Sequence, residues 1–315
     1  YRGRLGPNDN DDKSIRILNR ILQWDMSGIK WEADQRHAEI IISTLGLDAE
    51  SKGVSTPANK EWEKVELEEC GATESTMFRA MAARSNFLAQ DRSDIGYAAK
   101  ELCRDMSKPN TQSWAKLKRL GRYLVAHPRR ITEFNYQGRV NVITVHVDSD
   151  YAGCHRTRKS TSGGIITIGE HAIRHWSSTQ SVIALSSGEA EYYAIVKGGT
   201  NSMGAKGFMM DLGISYDGIE VGVKHGVEIY TDSTAAKAMA TRRGVGKVRH
   251  IEVAELWIQD KVGNGELRVR KVKGTENPAD ALTKSVGKDE LQVHCEFANL
   301  LTHEGRHALA PMQAK

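Results

Sequence analysis

Carboxylates recur in this sequence where strands should end and helices should begin, positions from which side chains can converge on a cation. Asp148 lies in VHVDSD, Glu191 in SSGEAEYYAI, Asp232 in IYTDST and Asp280 in NPADALTK. Asp148 and Asp232 follow the same kind of apolar lead-in, so adjacent parallel strands would set their carboxylates side by side. Two like charges so placed are costly unless a cation lies between them. Hard oxygen donors of this kind suit Mg2+ or Mn2+. Asp280 has a rationale of its own. Asn277 fits an N-cap and Pro278 the first helical position, which puts Asp280 in the first turn, where the helix dipole favours its charge. One acid in a first turn commonly does no more than stabilise its helix; the four in this order ask for a site.

Two positions stay open on spacing alone. Asp150 lies two residues beyond Asp148, so in an extended strand both face one side, and Asp150 can share the metal or replace its neighbour. Glu189 and Glu191 point about 200° apart on a helix, so one of them faces the sheet. Periodicity does not choose between them, because Ala194 and Ile195 follow one and Tyr192 and Tyr193 the other.

Other reactive patterns are sparser. His303-Glu304-Gly305-Arg306-His307 satisfies HExxH, a zinc-protease signature that needs both histidines on one helical face and here a third ligand such as His294. Gly305 weakens that helix. Gly244-Val245-Gly246 lacks the third glycine of a dinucleotide loop, and no P-loop occurs. Cys70, Cys103, Cys154 and Cys295 form no CxxC pair, which points to free thiols in a reducing compartment.

The elements that must position these groups follow from pattern. At 315 residues the chain exceeds the usual single domain, and 39% apolar against 27% charged content excludes wholesale disorder. No apolar run reaches the roughly 20 residues of a membrane span, and the polar opening YRGRLGPNDNDDKS is not a secretory signal. The first hundred or so residues read as helical after a short extended opening. Two apolar runs around Ser27-Gly28 suit a hairpin at 15–31, and helices are expected at 35–45, 74–90, 95–106 and 113–126. A boundary is expected at 131–140. Beyond it, strands are expected at 142–147, 164–168 and 173–177, a long helix at 186–212, and a strand at 228–231. Helices at 234–240 and 253–262, a strand at 267–272 and a short helix from Pro278 complete the pattern. Three strands followed by helix and strand in alternation imply a mixed sheet with helices packed over it. Residues 286–315 read as a partly helical tail.

The net charge of +4 names no partner. Its distribution says more: Lys108, Lys116, Lys118, Arg119, Arg122, Arg129 and Arg130 follow one another with no acid between them, and a second basic stretch runs over 237–273. Such stripes are either solvated helix faces or a side that meets a polyanion.

The ordered runs VHVDSDYAGCHRTRKSTSGGIITIG, HWSSTQSVIALSSGEAEYYAI, IYTDSTAAKAMA, RHIEVAELWIQDKV and ENPADALTK resemble the ribonuclease H domain of copia-type LTR retrotransposon Pol polyproteins, over about 142–284. Upstream, LNRILQWDMSGIKWEADQRHAEIIISTLGL, STPA and DIGYAAKELCRDMSKPNTQSWAKLKRLGRYL resemble the end of the reverse transcriptase of the same elements.

The resemblance implies an α/β fold: a ribonuclease H-like mixed five-stranded sheet with flanking helices at 140–285, preceded at 1–135 by a mainly helical thumb and connection segment of the reverse transcriptase and followed by the 286–315 tail. It implies that Asp148, Glu191, Asp232 and Asp280 are the catalytic, metal-binding acids, and the family motif chooses Glu191 over Glu189. The implied reaction is hydrolysis of the RNA strand of an RNA–DNA hybrid with two Mg2+ ions, or Mn2+, about 4 Å apart. Where some ribonucleases H carry a mobile histidine before the last aspartate, this chain has Thr275, Glu276 and Asn277. His250 matches a family position and equally fits a packing role. Ser160, Thr161 and Ser162, with Arg156, Arg158 and Lys159, are expected to meet phosphates, and Lys116, Lys118, Arg119 and Arg122 to track the same duplex. Trp176 is expected in the core rather than as a stacking platform. No Tyr-x-Asp-Asp occurs, and Asp11-Asp12 lacks its flanks, so DNA synthesis by this chain alone is not expected. The remainder of the Pol polyprotein is an implied partner, cytoplasm and nucleus the implied compartments. The rival reading is a nucleic-acid-binding remnant with a dead hydrolase.

Overall fold

The computed structural model describes residues 3–138, 140, 142–213, 226–244, 246, 250–251 and 253–312. Part of the second basic stretch (Lys247, Arg249) and Val245 of the Gly-Val-Gly run lie outside the described residues. The chain divides into two compact units, one formed by Tyr1–Tyr136 with Ser285–Lys315 and the other by Gln137–Lys284. Among the described residues no helix is long and apolar enough to cross a membrane.

The first unit opens with β1 (Ser14–Ile17), β2 (Arg20–Asp25) and β3 (Gly28–Glu32), an antiparallel meander. Its second turn is the hairpin expected at Ser27-Gly28. There a Cβ on Gly28 (φ 153°) would collide with the backbone of Phe134 and Asn135, so the close approach of the neighbouring strand requires glycine. Four helices follow: α1 (Arg36–Thr44), α2 (Ala72–Leu88), α3 (Gly96–Arg104) and α4 (Thr111–Ala126). The Asn110 side chain caps α4 by accepting from Ser113 N at 3.0 Å. Phe78, Ile95, Leu102, Leu117 and Leu120 fill the helical core. Beneath it Arg92 forks onto Asp94 (2.9 and 2.7 Å), and the Tyr123 hydroxyl donates to the same carboxylate at 2.8 Å. That pairing satisfies charges that would otherwise be costly to bury.

β4 (Arg130–Asn135) then adds to β3, over residues that the sequence marks only as the start of a boundary. Its RITEFN segment has only two apolar residues, Ile131 and Phe134, three apart and so out of strand alternation, and pairing on both sides makes it an inner strand.

The second unit begins with β5 (Ile143–Asp150), β6 (Thr161–Ile168) and β7 (His171–Thr179), all antiparallel neighbours. β5 runs three residues past its expected end because Asp148, Ser149 and Asp150 continue the ladder against Gly163, Ser162 and Thr161. Then come α5 (Ser187–Asp211), β8 (Val227–Thr231), α6 (Thr234–Thr241), α7 (Trp257–Gly263) and β9 (Arg268–Lys271). β8 pairs parallel to β5 and β9 parallel to β8, giving the order β7-β6-β5-β8-β9. This is the mixed five-stranded sheet with flanking helices expected from the sequence. Val145, Val147, Ile166, Ile195, Ile229 and Ile258 are among its fully buried core residues. Trp176 packs against that core, with its ring over Gly164 of the neighbouring strand.

After the second unit the chain returns to the first. α8 (Lys288–Phe297) carries the buried Leu291, His294 and Cys295, and β10 (Leu300–Thr302) pairs antiparallel with β4. The segment read as a tail thus completes a five-stranded sheet, β1-β2-β3-β4-β10. Arg130 Nη1 donates to Cys295 Sγ at 2.6 Å, and all four cysteines are free thiols. The HExxH expectation is corrected here. Residues 303–307 follow β10 as loop, Gly305 has φ 70°, and His303 N donates to Arg129 O. Without a helix the two histidines share no face. His294 is fully buried and hydrogen-bonded to Ser93 Oγ at 2.9 Å, which removes the third ligand as well.

Candidate metal centre

The site is assembled at the C-terminal end of the two central parallel strands. Asp148 projects from β5, and Asp232 lies one residue beyond β8, beside it. Asp280 arrives from a short 3-10 helix, Pro278–Leu282, with Asn277 as its cap, Pro278 opening it and Asp280 in its first turn, as expected. Asn277 anchors that turn twice: its side-chain oxygen accepts from Ala279 N (3.2 Å) and its amide donates to Val147 O (3.0 Å), next to Asp148. A glycine opposite Asp148 makes room for it. A Cβ on Gly163 would stand 2.7 Å from Thr283 Cγ2 and 2.8 Å from Leu282 Cβ, so a larger residue would push the turn away.

One oxygen each of Asp148, Asp232 and Asp280 lies within 4.8 Å of the others. Glu191 closes the group from the first turns of α5. Its Oε1 accepts from Ser149 N (3.0 Å) and Ser149 Oγ (3.1 Å), and its Oε2 from Thr231 Oγ1 (3.4 Å). Ser186 caps that helix by accepting from Glu189 N at 3.2 Å. Gly198 lets the helix seat closely, since a Cβ there would meet Val147 Cγ1 at 2.6 Å.

The electrostatics express crowding. Burial, then Glu191 and Asp280, pushes the Asp148 carboxyl well above the usual carboxylate range. Burial, then Asp232, pushes Glu191 up to about 7. Asp280 is raised by burial in spite of Lys284, whose Nζ lies 2.8 Å from Asp280 Oδ2. Thr283 Oγ1 donates to Asp148 Oδ2, while Asp280 Oδ1 is buried without a hydrogen-bond partner. Clustered hard oxygens, one of them orphaned, fit a divalent cation such as Mg2+ or Mn2+.

The remaining expected site residues lie elsewhere. Asp150 accepts from Thr161 N and lies against Gly153, outside the three-aspartate cluster. Glu189 turns away from Glu191. It is buried, it accepts from Leu185 N (3.1 Å) and Tyr193 OH (3.2 Å), and His250 Nε2 lies 2.8 Å from its Oε2. Ser160, Thr161 and Ser162 are buried, with Ser160 Oγ accepting from Ala152 N and Ser162 Oγ from Gln180 Nε2. Arg156 and Arg158 are exposed on the loop between β5 and β6, and Lys159 is half-buried beside them. In the first unit Lys116 pairs with Asp105 (2.8 Å) and stands over the Trp62 ring, and Arg119 donates to Thr56 O and Oγ1. Arg122 donates to Lys52 O, which leaves Lys118 exposed on α4.

Ser149, Thr231, Thr283 and Lys284 escape the sequence reading, although each touches an acid of the site. For Lys284 a signal exists: it stands four residues after Asp280, a spacing at which opposite charges meet in a helical turn.

No family model matches the chain. It is 27% identical over 280 residues to the retrovirus-related Pol polyprotein from transposon TNT 1-94 of Nicotiana tabacum, covering 86% of this chain and 20% of that protein. It is 29% identical over 218 residues to the Pol polyprotein from transposon RE2 of Arabidopsis thaliana, covering 69% of this chain and 14% of that protein. The chain therefore spans a fifth or less of the length of these relatives. Among solved structures it resembles the N-terminal ribonuclease H domain of rv2228c from Mycobacterium tuberculosis. That likeness covers 51% of this chain and 99% of the other at 15% identity, with a TM-score of 0.31.

Proposed function

Because this chain belongs with the retrovirus-related Pol polyproteins of copia-type transposons, we propose that its second unit is a metal-dependent nuclease that hydrolyses the RNA strand of RNA–DNA hybrids. The observation that carries the proposal is the convergence of Asp148, Asp232 and Asp280 within 4.8 Å, closed by Glu191. Asp148, Asp232 and Asp280 would hold the cations directly, with Glu191 beside them. The chemistry supplied by divalent cations at such a cluster is activation of a water molecule and stabilisation of the leaving 3′ oxygen.

The chain's own residues set the geometry. Ser149 and Thr231 fix the Glu191 carboxylate, Thr283 fixes that of Asp148, and the Asn277-anchored turn delivers Asp280. A hybrid duplex is recognised by its shape and its 2′-hydroxyls rather than by base sequence. Arg156 and Arg158, exposed on the β5–β6 loop, are the cations of this unit that we assign to phosphate contact. The buried hydroxyl of Ser160 supports that loop from within by accepting from Ala152 N, while Thr161 and Ser162 are buried in β6. Residues 1–135 are read as the end of a reverse transcriptase, with the rest of the Pol polyprotein as partner.

The test is cleavage of a hybrid labelled on each strand, in Mg2+. Loss of the RNA strand alone, abolished by EDTA and by Asp232→Asn, is the expected result. Intact RNA with a folded sample would leave hybrid binding without hydrolysis as the function of this unit.

A further inference from the structure

The acidic cluster already contains one cation, and it belongs to the protein. Lys284 Nζ lies 2.8 Å from Asp280 Oδ2, on a side chain that remains about half exposed (48%). Among the described residues no other lysine or arginine forms an ion pair with Asp148, Glu191, Asp232 or Asp280. The Pro278–Leu282 turn and the four-residue spacing from Asp280 to Lys284 bring this ammonium to the cluster rather than to solvent. A lysine ammonium is a compact charge on a flexible stem, so it can occupy a site and still swing out of it.

We propose that Lys284 is a resident counter-cation of this site, which offsets part of the negative charge of the aspartate cluster in the metal-free protein and must be displaced from Asp280 when a divalent ion binds. The inference rests on the metal-centre reading above and adds a competitor to it. With the ammonium seated, Asp280 Oδ2 is engaged and its field opposes an incoming divalent charge. When it swings away, the same carboxylate is released to the metal. Lys284 is therefore a positioning residue: it acts through Asp280, sets the affinity of the site, and limits the repulsion that the empty cluster would otherwise impose on the fold.

The experiment uses the full chain and Mn2+ alone, with free Mn2+ followed by EPR and melting followed in EDTA. Lys284→Gln is expected to bind Mn2+ about tenfold more tightly than wild type, the order expected when one positive charge leaves a partly screened site. It is also expected to melt lower in EDTA. Lys284→Arg, which keeps the charge, should stay close to wild type in both. A folded Lys284→Gln that binds Mn2+ equally or more weakly overturns the proposal while leaving the metal centre standing. If neither wild type nor variant binds Mn2+, the metal centre and the counter-cation fall together. A measurement on the unsubstituted protein covers the case in which Lys284→Gln does not fold. The NMR signals of the Lys284 Cε methylene should become more mobile as Mg2+ saturates the site, and signals unchanged at saturation count against displacement.

Discussion

Ser149 gives both its backbone N–H and its hydroxyl to one oxygen of Glu191, at 3.0 and 3.1 Å. A strand residue thereby fixes the rotamer of a helix residue 42 positions away in sequence, and it does so at the level where the acids meet. Hydrogen bonds to a charged group are worth roughly 1.5–3 kcal/mol. Ser149→Ala should therefore lower the cleavage rate by about tenfold or more, with KM little changed because the substrate is not touched. Single-turnover kinetics on a labelled hybrid would decide this, and an unaltered rate would remove Ser149 from the positioning set.

Metal binding and pH should be coupled in a stated direction. Glu191 is pushed up to about 7 and Asp148 is raised as well, so the metal-free fold retains protons there that the unfolded chain has released. The contribution of Glu191 to stability is accordingly full below its unfolded value of 4.5 and is lost as pH rises through about 7, and Asp148 acts in the same direction. A divalent ion needs the ionised forms. The rise in Tm produced by Mg2+ should grow between pH 5 and pH 8, and thermal melts at those two values with and without the ion would check it. A larger increment at pH 5 would contradict the assignment.

His146 should act with the opposite sign. It is buried on β5, its ring stacks on Tyr230 of β8 (centroids 4.9 Å apart), and burial pushes its pKa down to about 4. Above the ordinary value of 6.5 neither folded nor unfolded chain is charged there. Below it the unfolded chain takes up a proton that the fold resists, so stability declines as pH falls from 6.5 towards 4, by up to about 3 kcal/mol. His146→Gln cannot titrate and should lose less stability over that window. Urea curves for both proteins at pH 7 and pH 4.5 would measure the difference.

Gly198 couples packing to the site. A methyl group there would press on Val147, the residue before Asp148. Overpacking of this kind costs about 1–3 kcal/mol. Gly198→Ala should lower the unfolding free energy by that amount, read from urea curves, and reduce cleavage as well, because the displaced helix carries Glu191. Full activity in a destabilised variant would mean that the helix adjusts without moving its acid.

Much of the second unit is legible in sequence because its signals are local. The shared lead-in to Asp148 and Asp232 encodes adjacent parallel strands, and Asn277-Pro278 encodes the turn that holds Asp280. The choice between Glu189 and Glu191 is not local, since both are buried: one serves the start of α5 and His250, the other faces the sheet, and only the opposing residues separate them. Basic residues mislead for a related reason. Lys116 and Arg119 look free in a run without acids, yet Asp105 and Thr56 reach them from other segments. The pairing of β4 with β10 is the least legible feature. Its two strands are short, and the second unit intervenes between them in sequence.

That last pairing has a consequence for biogenesis. On a ribosome, residues 1–136 emerge first, but the strand that covers the edge of β4 and the helix that seats Cys295 beside Arg130 come after the whole of the second unit. At typical synthesis rates that delay is on the order of ten seconds. Throughout it, the nascent first unit carries an open strand edge of the kind that recruits other chains. The second unit is complete in sequence while its neighbour waits, so shortening the chain at Lys284 would leave that edge open permanently and convert a transient hazard into aggregation.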